Sequence, residues 1–444
     1  MCEHDHNAGP VPNQVLARRS VMAGAAALAG LGALGFAAPA SADSGERGAL
    51  AASYHGSALK TVPIIIEGGT LIDPATGDTV EDGVVVLRDG KVEAVGTREA
   101  TRKAVKDAAG QATRIDATGK FIIPGMVDAH VHANGLEDVR LILQSGATTV
   151  RSGSSTFYQD IALASLPKWN PGLSPRMHPA GLFVSPEQGD SILADPELAP
   201  LAALEGNIRD VKDLAYLTGV NLRRGATVIK TRANPRAGLA EQDPLELVYD
   251  REQLSAIVKA ARGARVLCHA YSAKGIAGAV GAGVASIEHG VFVDEQTIGQ
   301  MARRGTAFTP TLAGVAGMAN SSDPVIAERG REFGPVLAQA VRAANEAGVL
   351  VVAGTDSFGT DVMPIGVEAQ ALEDAGLSAL QALQSVTTRP AKLIGVERQG
   401  VGRLLRKGVA DAVILGSNPL EGTQALSKVE VVIAQGKIVR NELN

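Results

Sequence analysis

Short apolar segments alternate with segments of helical periodicity from about residue 124 to residue 391. This alternation is typical of βαβ units, in which helices join parallel strands and cover the sheet. Helices are predicted at 251–261, 273–282 and 335–347. Strands are predicted at 126–132, 148–152, 180–185, 227–231, 265–270, 285–289, 307–311 and 350–355. Eight parallel strands are the number found in a TIM-type (β/α)8 barrel, so the predicted fold class is α/β.

The segments on either side of this region favour β-hairpins. Residues 83–96 place two apolar runs around Asp89-Gly90, a strong hairpin-turn signal, and residues 411–439 repeat the pattern. We therefore expect a small β-sandwich domain built from residues 43–123 and 396–444, with the barrel, residues 124–395, inserted between them. The 444 residues suffice for a barrel of about 250 residues plus this second domain.

The first 42 residues are predicted to be an export signal. Arg18-Arg19 precede a weakly apolar stretch, and Ala40-Ser41-Ala42 have the spacing that a signal peptidase accepts. The segment resembles a twin-arginine signal, which predicts a periplasmic or extracellular protein with no stable membrane span after cleavage. The alternative is an uncleaved anchor, because the apolar stretch approaches the lower spanning length. Cys2 leaves with the signal, so Cys268 remains alone and no intrachain disulfide is expected.

Charge and composition narrow the class of partner. The net charge is −5 and the sequence has no basic stripe, which argues against a nucleic-acid partner. With 45% hydrophobic and 20% charged residues, the chain has the composition of a globular protein with a large core. A small-molecule substrate is therefore the expected partner.

Six residues with metal-binding chemistry lie at or just past the ends of predicted strands one, four, five, six and eight. They are His130, His132, Lys230, His269, His289 and Asp356. In a barrel of parallel strands these ends converge on the face where loops build the active site. Taken singly, His269 and His289 could instead be hydrogen-bonded histidines and Asp356 a helix cap, but together the six residues predict a metal site of a hydrolase.

The first two histidines and the lysine have different predicted roles. His130 and His132 share one face of a strand, with Cα atoms about 6.6 Å apart, a spacing that suits one metal ion. The ammonium of Lys230 has only donors and cannot bind a metal. Burial beside cations lowers a lysine pKa, and the neutral amine can then form a carbamate whose oxygens bridge two metals. The alternative is an unmodified Lys230 that pairs with Asp356 or holds a substrate carboxylate.

Two further residues and two loops are candidates for substrate binding. Tyr271, two residues past His269, could donate to an oxyanion or bind a substrate carboxylate, or could simply pack. Arg232, two residues past Lys230, could meet a carboxylate or form a surface ion pair. Loops 169–210 and 232–246 are predicted to shape the pocket.

These motifs resemble those of the amidohydrolase superfamily, in its binuclear form with a carboxylated lysine, and its imidazolonepropionase-like and Xaa-Pro dipeptidase-like branch in particular. The resemblance covers nearly all of the chain after the signal and is carried by residues 123–132, 146–151, 268–290 and 408–413. It implies that His130, His132 and Asp356 bind one metal, that His269 and His289 bind the other, and that Lys230 bridges them. Zinc is the expected metal.

Two positions depart from the family pattern. Many relatives carry a His-Gly-containing loop after the third strand, where this chain has Ser185-Pro186-Glu187-Gln188-Gly189-Asp190, and Ser152 replaces the usual acidic residue after Arg151. Both departures concern the substrate pocket. Homo-oligomers are common among relatives, but the sequence does not indicate whether this chain forms one.

The sequence thus predicts an exported metal-dependent amidohydrolase that cleaves an amide or peptide-like bond in a dipeptide or N-acyl amino acid. A metal-bridging hydroxide attacks, Asp356 acts as general base and then acid, and Tyr271 shares the oxyanion charge. The alternative within the superfamily is a mononuclear deaminase or cyclic-amide or lactone hydrolase with unmodified Lys230. A non-catalytic binding protein is the alternative from another class.

Overall fold

The computed structural model describes residues 62–193, 195–204 and 206–443, which form a mixed α/β fold. The predicted export signal, residues 1–42, lies outside the described residues. The strands in this part of the chain are β1 Ile64–Ile72, β2 Thr79–Arg88, β3 Lys91–Gly96, β4 Thr113–Asp116, β5 Phe121–Pro124, β6 Met126–His132, β7 Ala147–Ser152, β8 Arg176–His178, β9 Val228–Arg232, β10 Arg265–Ala270, β11 Ser286–His289, β12 Ala307–Thr309, β13 Ser357–Phe358, β14 Ala412–Leu415, β15 Val429–Ala434 and β16 Lys437–Asn441.

Helices connect most of the strands in the middle of the chain. Those described are α1 Arg98–Ala108, α2 Leu136–Gln144, α3 Gln159–Leu163, α4 Leu166–Trp169, α5 Ala199–Ala202, α6 Val211–Arg224, α7 Arg251–Ala260, α8 Ala273–Ala282, α9 Glu295–Arg304, α10 Leu312–Gly317, α11 Pro324–Glu346, α12 Ile365–Asp374, α13 Ala379–Ser385 and α14 Thr388–Ile394. Within the described residues, no helix combines the length and the apolar character needed to cross a membrane.

Strands from both ends of the described chain form one sheet. Its order is β16-β15-β14-β5-β1-β2-β3, with β4 paired to β1. The two ends meet where β14 runs antiparallel to β5, with Val413 opposite Ile123. Asp89 and Gly90 both have positive φ, 49° and 71°, as a two-residue hairpin turn requires between β2 and β3. The joining of both ends in one sheet was expected, whereas the sandwich arrangement and the domain bounds stay predictions.

The middle of the chain contains two sheets of parallel strands. Their orders are β13-β6-β7-β8 and β12-β11-β10-β9. Near one edge, Val184, which follows β8, forms an isolated parallel bridge with Thr231 of β9. At the other edge, Val352 N donates to Phe308 O (2.9 Å) and Ala129 N donates to Ala353 O (3.0 Å). The buried side chains of these strands and of the surrounding helices form the main hydrophobic core.

Six of the predicted strands lie within two residues of observed ones, and β6 and β10 have the predicted bounds. The prediction was wrong for 180–185, where the third strand is β8, Arg176–His178, and only Val184 makes a bridge. The carboxylate of Asp160 accepts hydrogen bonds from the amides of Ala180 and Gly181, which therefore cannot join a strand ladder. The prediction was also wrong for 350–355, where only Val351 forms an isolated bridge, and the short strand β13 follows at Ser357–Phe358.

Helix α11 begins eleven residues before the predicted start at Pro335. Asp323 caps it by accepting from Val325 N and Ile326 N, and Pro324 occupies the first turn, where its missing N–H costs nothing. Pro335 lies inside the helix instead of starting it. Gly330 allows this region to pack closely, because a Cβ there would lie 2.0 Å from Ala319 N.

Candidate metal centre

The fold brings together three of the predicted ligands at the ends of β6 and β13. Among the described residues, His130, His132 and Asp356 place one ligand atom each within 4.8 Å of one another. The Oδ1 atom of Asp356 lies 3.2 Å from His132 Nε2 and 3.4 Å from His130 Nε2. The side chains of His130, His132 and Asp356 are 0%, 11% and 10% exposed, so the cluster is almost removed from solvent.

The other three predicted residues adjoin this cluster. Lys230 Nζ lies 2.9 Å from His130 Nε2. The ring of His289 lies 5.6 Å from that of His130 and 4.5 Å from that of His269, measured between centroids. Lys230, His269 and His289 are all buried. All six residues therefore form one continuous group at the ends of four parallel strands and the segment just before β13.

Each histidine of β6 has one ring nitrogen engaged by an acceptor outside the cluster. His130 Nδ1 lies 2.6 Å from a carboxylate oxygen of Glu288. His132 Nδ1 lies 3.1 Å from the carbonyl oxygen of Ser154. Both partners accept only, so Nδ1 carries the proton in each ring and Nε2 presents a lone pair toward Asp356.

The histidines of β10 and β11 are oriented in the same way. His269 Nε2 donates to Pro235 O at 2.9 Å, which leaves Nδ1 with the lone pair. His289 Nδ1 lies 2.7 Å from the hydroxyl of Thr311, and that hydroxyl donates to Pro310 O, so it accepts from His289. An imidazole that donates through one nitrogen to a fixed acceptor is the arrangement seen at metal ligands.

The protonation states suit metal binding at neutral pH. Burial lowers the pKa of His130 to about 4 and that of His289 to about 3. Burial also lowers the pKa of His269 well below its usual value. Burial raises the pKa of Asp356, but its interactions with His130 and His132 outweigh this and hold the pKa well below its ordinary range. Neutral imidazoles and a carboxylate are the forms that bind a metal ion.

A glycine leaves room beside the two histidines of β6. A Cβ on Gly153 would lie 2.6 Å from His130 Nε2 and 2.8 Å from His132 Nε2, so any side chain there would fill the space that both lone pairs face. Two imidazole nitrogens and a carboxylate oxygen around an open space are a donor set for a divalent ion such as zinc. The residues present therefore fit a metal ion.

Three residues at the centre have an unusual backbone conformation. His289, Thr311 and Asp356 have positive φ values of 66°, 50° and 56°. Such conformations are uncommon for residues other than glycine, and for a β-branched residue such as Thr311 they are outliers. Strain of this kind persists where surrounding contacts impose it and is frequent at functional sites.

Glu288 and Arg151 form a buried ion pair that was not predicted from the sequence, although both residues lie in the motifs of the family resemblance. Arg151 Nη2 lies 3.0 and 2.9 Å from the two carboxylate oxygens of Glu288, and Arg151 Nε donates to Ala129 O at 2.6 Å. Both side chains are 1% exposed or less. Arg151 and His130 together hold the pKa of Glu288 below its usual range, although burial alone would raise it. The sequence signal that could have indicated this pair is one charged residue of each sign, Arg151 and Glu288, inside an otherwise apolar predicted strand.

We expect Glu288→Gln to destabilise the fold and weaken metal binding together. The variant leaves the buried guanidinium of Arg151 without its counter-charge, which costs about 3–5 kcal/mol of unfolding free energy. It also replaces the charged acceptor that orients His130, which should weaken metal affinity roughly 10- to 100-fold. Chemical denaturation and metal titration measure the two effects. Glu137→Gln, which disrupts an exposed ion pair with Arg140, is the matched control and should change neither. Wild-type stability of Glu288→Gln would contradict the account.

Tyr271 lies against the second pair of histidines. Its ring stacks on that of His289, with centroids 5.2 Å apart and an interplanar angle of 12°, and meets His269 edge-on at 5.0 Å. Tyr271 is buried, with 4% of its surface exposed. The predicted position beside the metal ligands is thus observed, and its catalytic role stays a prediction.

A pocket opens over the centre. Its lining residues are Arg236, Ala237, Gly238, His269, Tyr271, Gly314, Val315, Met318 and Asp356. Three of them come from loop 232–246, as predicted, and three from α10 and the residue that follows it. None of the residues lining this pocket belongs to loop 169–210. A substrate in this pocket would touch Asp356 and Tyr271 at the same time.

Comparisons with known proteins agree over most of the chain. The model of the amidohydrolase family matches residues 171–439. Ochratoxinase of Aspergillus niger is 24% identical over 414 residues, 83% of this chain and 84% of that protein. An uncharacterized protein of Mycobacterium tuberculosis is 28% identical over 359 residues, 76% of this chain and 89% of that protein.

Solved structures extend the comparison to the fold. The crystal structure of A. niger ochratoxinase has a TM-score of 0.72 at 23% identity, and the match covers 86% of this chain and 96% of the ochratoxinase chain. A Xaa-Pro dipeptidase with methionine bound in its active site has a TM-score of 0.70 at 22% identity, and covers 85% of this chain and 100% of its own. At these identities the two structures show a shared fold.

Proposed function

The chain belongs to the amidohydrolase family, whose model matches more than half of it, and on that basis we propose that it is a metal-dependent hydrolase of amide or peptide-like bonds. The proposed substrate is a dipeptide or an N-acyl amino acid. One observation carries the proposal: all four histidines of the centre donate one ring nitrogen to a fixed acceptor, which leaves four lone pairs in one group with Asp356 and Lys230. A purely structural histidine cluster has no need of this common orientation.

The two parallel sheets are proposed to close into a (β/α)8 barrel. The isolated bridge between Val184 and Thr231 connects the segment that follows β8 to β9. The segment 350–355 lies between β12 and β6, because Val352 bonds Phe308 and Ala353 bonds Ala129. These contacts support a closed ring with the candidate centre at the carboxyl ends of its strands, where barrel enzymes carry their active sites.

The proposed centre holds two divalent ions, with zinc as the expected metal. His130, His132 and Asp356 would hold one ion, His269 and His289 the other, and a carbamate on Lys230 would bridge them. Bound ions of this kind polarise a carbonyl group and lower the pKa of water. The carbamate is supported by the burial of Lys230 and by its 2.9 Å contact with His130 Nε2, because a carbamate replaces a positive charge beside the ligands with a negative one.

Two side chains are proposed to take part in the reaction. Asp356, a carboxylate that lines the pocket, would accept the proton of the attacking water and return it to the leaving amine. Tyr271, which lines the same pocket, would donate its hydroxyl to the oxygen that becomes negative. Asp356 and the ring of Tyr271 are held in place by contacts with the metal-binding histidines.

A mononuclear deaminase or cyclic-amide or lactone hydrolase is the second candidate. The observation that favours it is that, in the described part of the chain, only His130, His132 and Asp356 place three ligand atoms within 4.8 Å of one another. In this case Lys230 stays an amine beside a single ion.

Metal analysis combined with a substrate screen tests these proposals. Protein prepared with zinc and bicarbonate is assayed for metal content and for release of primary amine from N-acyl amino acids and dipeptides. Two ions per chain with amine release support the binuclear hydrolase. One ion per chain regardless of bicarbonate, with ammonia release or ring opening, identifies the second candidate. Metal-loaded protein that cleaves no amide would instead be a binding protein.

Export through the twin-arginine signal is a separate proposal. It rests on residues 18–42, and the expected result is a mature protein that begins at residue 43 in the periplasmic or extracellular fraction. N-terminal sequencing of the protein from each fraction checks it, with Arg18→Lys/Arg19→Lys as the variant that should stay in the cytoplasm. An intact N terminus in the membrane fraction would indicate an anchor.

A further inference from the structure

We propose that Arg232 and Arg236, packed on the ring of Phe183 beside the metal centre, form a subsite that binds a carboxylate of the substrate, and that Glu187 occupies this subsite until the substrate replaces it. The inference rests on the proposed function and names the residues that select its substrate. It predicts that amides bearing a carboxylate near the scissile bond are preferred over neutral ones.

Arg232 is a buried cation with one exposed partner. Its side chain is 6% exposed, whereas that of Glu187, which accepts from Arg232 Nη2, is 58% exposed. The sequence left a surface ion pair open for Arg232, and the burial shows that only one end of this pair is at the surface. The solvated carboxylate of Glu187 loses little free energy when it leaves this pair, whereas the buried guanidinium of Arg232 then needs another anion as its partner.

In the described part of the chain, only one of the two N–H groups on the Nε–Nη2 edge of the Arg232 guanidinium has a hydrogen-bond partner. Within the described residues, its Nε atom is buried and has no hydrogen-bond partner. Arg98, Arg224 and Arg403 each use the same Nε–Nη2 edge to bind both oxygens of one aspartate. A carboxylate that bound Arg232 in this two-point way would satisfy Nε and take over Nη2 from Glu187.

Three cationic side chains lie near the ring of Phe183, next to the centre. Its ring centroid lies 5.1 Å from Arg232 Cζ, 5.8 Å from Arg236 Cζ and 5.6 Å from Lys230 Nζ. Lys230 contacts His130 in the metal centre, and Arg236 lines the pocket together with Asp356. The two guanidinium groups therefore share one aromatic ring with Lys230, and one of them also lines the pocket.

Arg232 ends strand β9, and the loop from it to Arg236 is fixed to strand β10, which carries His269. Ala233 N donates to His269 O at 2.8 Å, and Pro235 O accepts from His269 Nε2 at 2.9 Å. The side-chain oxygen of Asn234 accepts from Tyr271 N at 2.9 Å. A loop held at three successive residues presents its charges with little loss of conformational freedom on binding, which favours a built subsite over an incidental cluster of charge.

Two variants should move carboxylate binding in opposite directions. In calorimetric titrations of metal-replete protein, Arg232→Gln should weaken binding of benzoate roughly 10- to 100-fold, because charge-assisted hydrogen bonds are lost. Glu187→Gln should strengthen it several-fold, because the competing carboxylate is removed. Benzyl alcohol, a neutral probe of similar size, should bind all three proteins equally. Arg331→Gln and Glu328→Gln, which disrupt an exposed ion pair, are the matched controls.

A kinetic measurement separates this inference from the proposed function. Amine release from N-acetyl-L-phenylalanine is compared with that from its methyl ester, and Arg232→Gln should lower the acid-to-ester ratio of kcat/KM through KM. Equal benzoate affinity in wild type and both variants, or weaker binding by Glu187→Gln, overturns the subsite. Benzoate binding that depends on Arg232 in a protein that cleaves no amide supports the subsite and refutes the proposed function.

Discussion

Asp356→Asn should lower kcat by roughly 10²- to 10⁴-fold, the range expected when a general acid–base group is removed. The substitution should leave the local backbone unchanged because Asp356 has a φ of 56°, a conformation that asparagine adopts readily. The hydrogen bond from Asp356 N to His130 O is also kept, since it does not involve the side chain. The amide keeps the size and one acceptor oxygen beside His130 and His132 but cannot take up the proton. Steady-state kinetics on the substrate found in the screen provide the measurement.

Metal analysis and thermal unfolding are needed alongside the kinetics of Asp356→Asn. Asp374→Asn, at an exposed position near the end of α12, is the control and should match the wild type in all three measurements. If Asp356→Asn keeps its metals and its unfolding temperature but loses turnover, the defect lies in proton transfer. Turnover within a few-fold of wild type would show that another group moves the proton.

Lys230→Ala should remove the bridge between the metals and with it most of the activity. Loss of outer partners of metal ligands costs 10- to 100-fold in metal affinity or activity, and loss of a bridging ligand should cost roughly 10²-fold or more. Metal content is expected to fall below two ions per chain. Because the group missing from the proposed centre would be a carbamate, acetate or propionate added to Lys230→Ala should restore part of the bound metal and of the activity.

Lys230→Met tests whether the added carboxylate acts in the space that the lysine side chain leaves. Methionine fills the space of the lysine stem, so a small carboxylate finds no room and no rescue is expected. Lys259→Ala, at an exposed position on α7, should keep full metal content. Two ions per chain in Lys230→Ala without added carboxylate would rule out a bridging role, and the same metal content with and without bicarbonate in the wild type would argue against the carbamate.

Buried charged residues surround the histidines of the centre. Arg151 and Glu288 form an ion pair that is 1% exposed or less, and Glu288 in turn holds His130. Asp128 is buried behind the same histidine, and burial raises its pKa to about 7 despite hydrogen bonds from His130 N and Thr355. Buried charges of this kind contribute little net stability, so their effect is to fix the orientation of the ligands.

Short apolar runs in the sequence predicted most of the parallel strands, and the residue types at their ends predicted the six residues that the fold brings together. The bounds of β6 and β10 agree with the prediction because a short apolar run is a local signal. The positions of His130, His269 and His289 at strand ends followed from the same signals. Where tertiary contacts compete with local preference, as where Asp160 binds the amides of Ala180 and Gly181, the predicted strand was displaced.

Pairings across the chain were decided by the tertiary structure. Arg151 and Glu288 are 137 positions apart, and nothing local to either residue indicates the other. The same holds for the glycine at 153, whose missing side chain matters only because two histidines from β6 face it. The sequence by itself determined which residues could bind metal and on which strand ends they lie. Only the fold decided which nitrogen of each histidine ring faces the centre. It also decided that the guanidinium of Arg232 has a partner at Nη2 and, within the described residues, none at Nε. Both features depend on contacts between segments that are distant in the sequence.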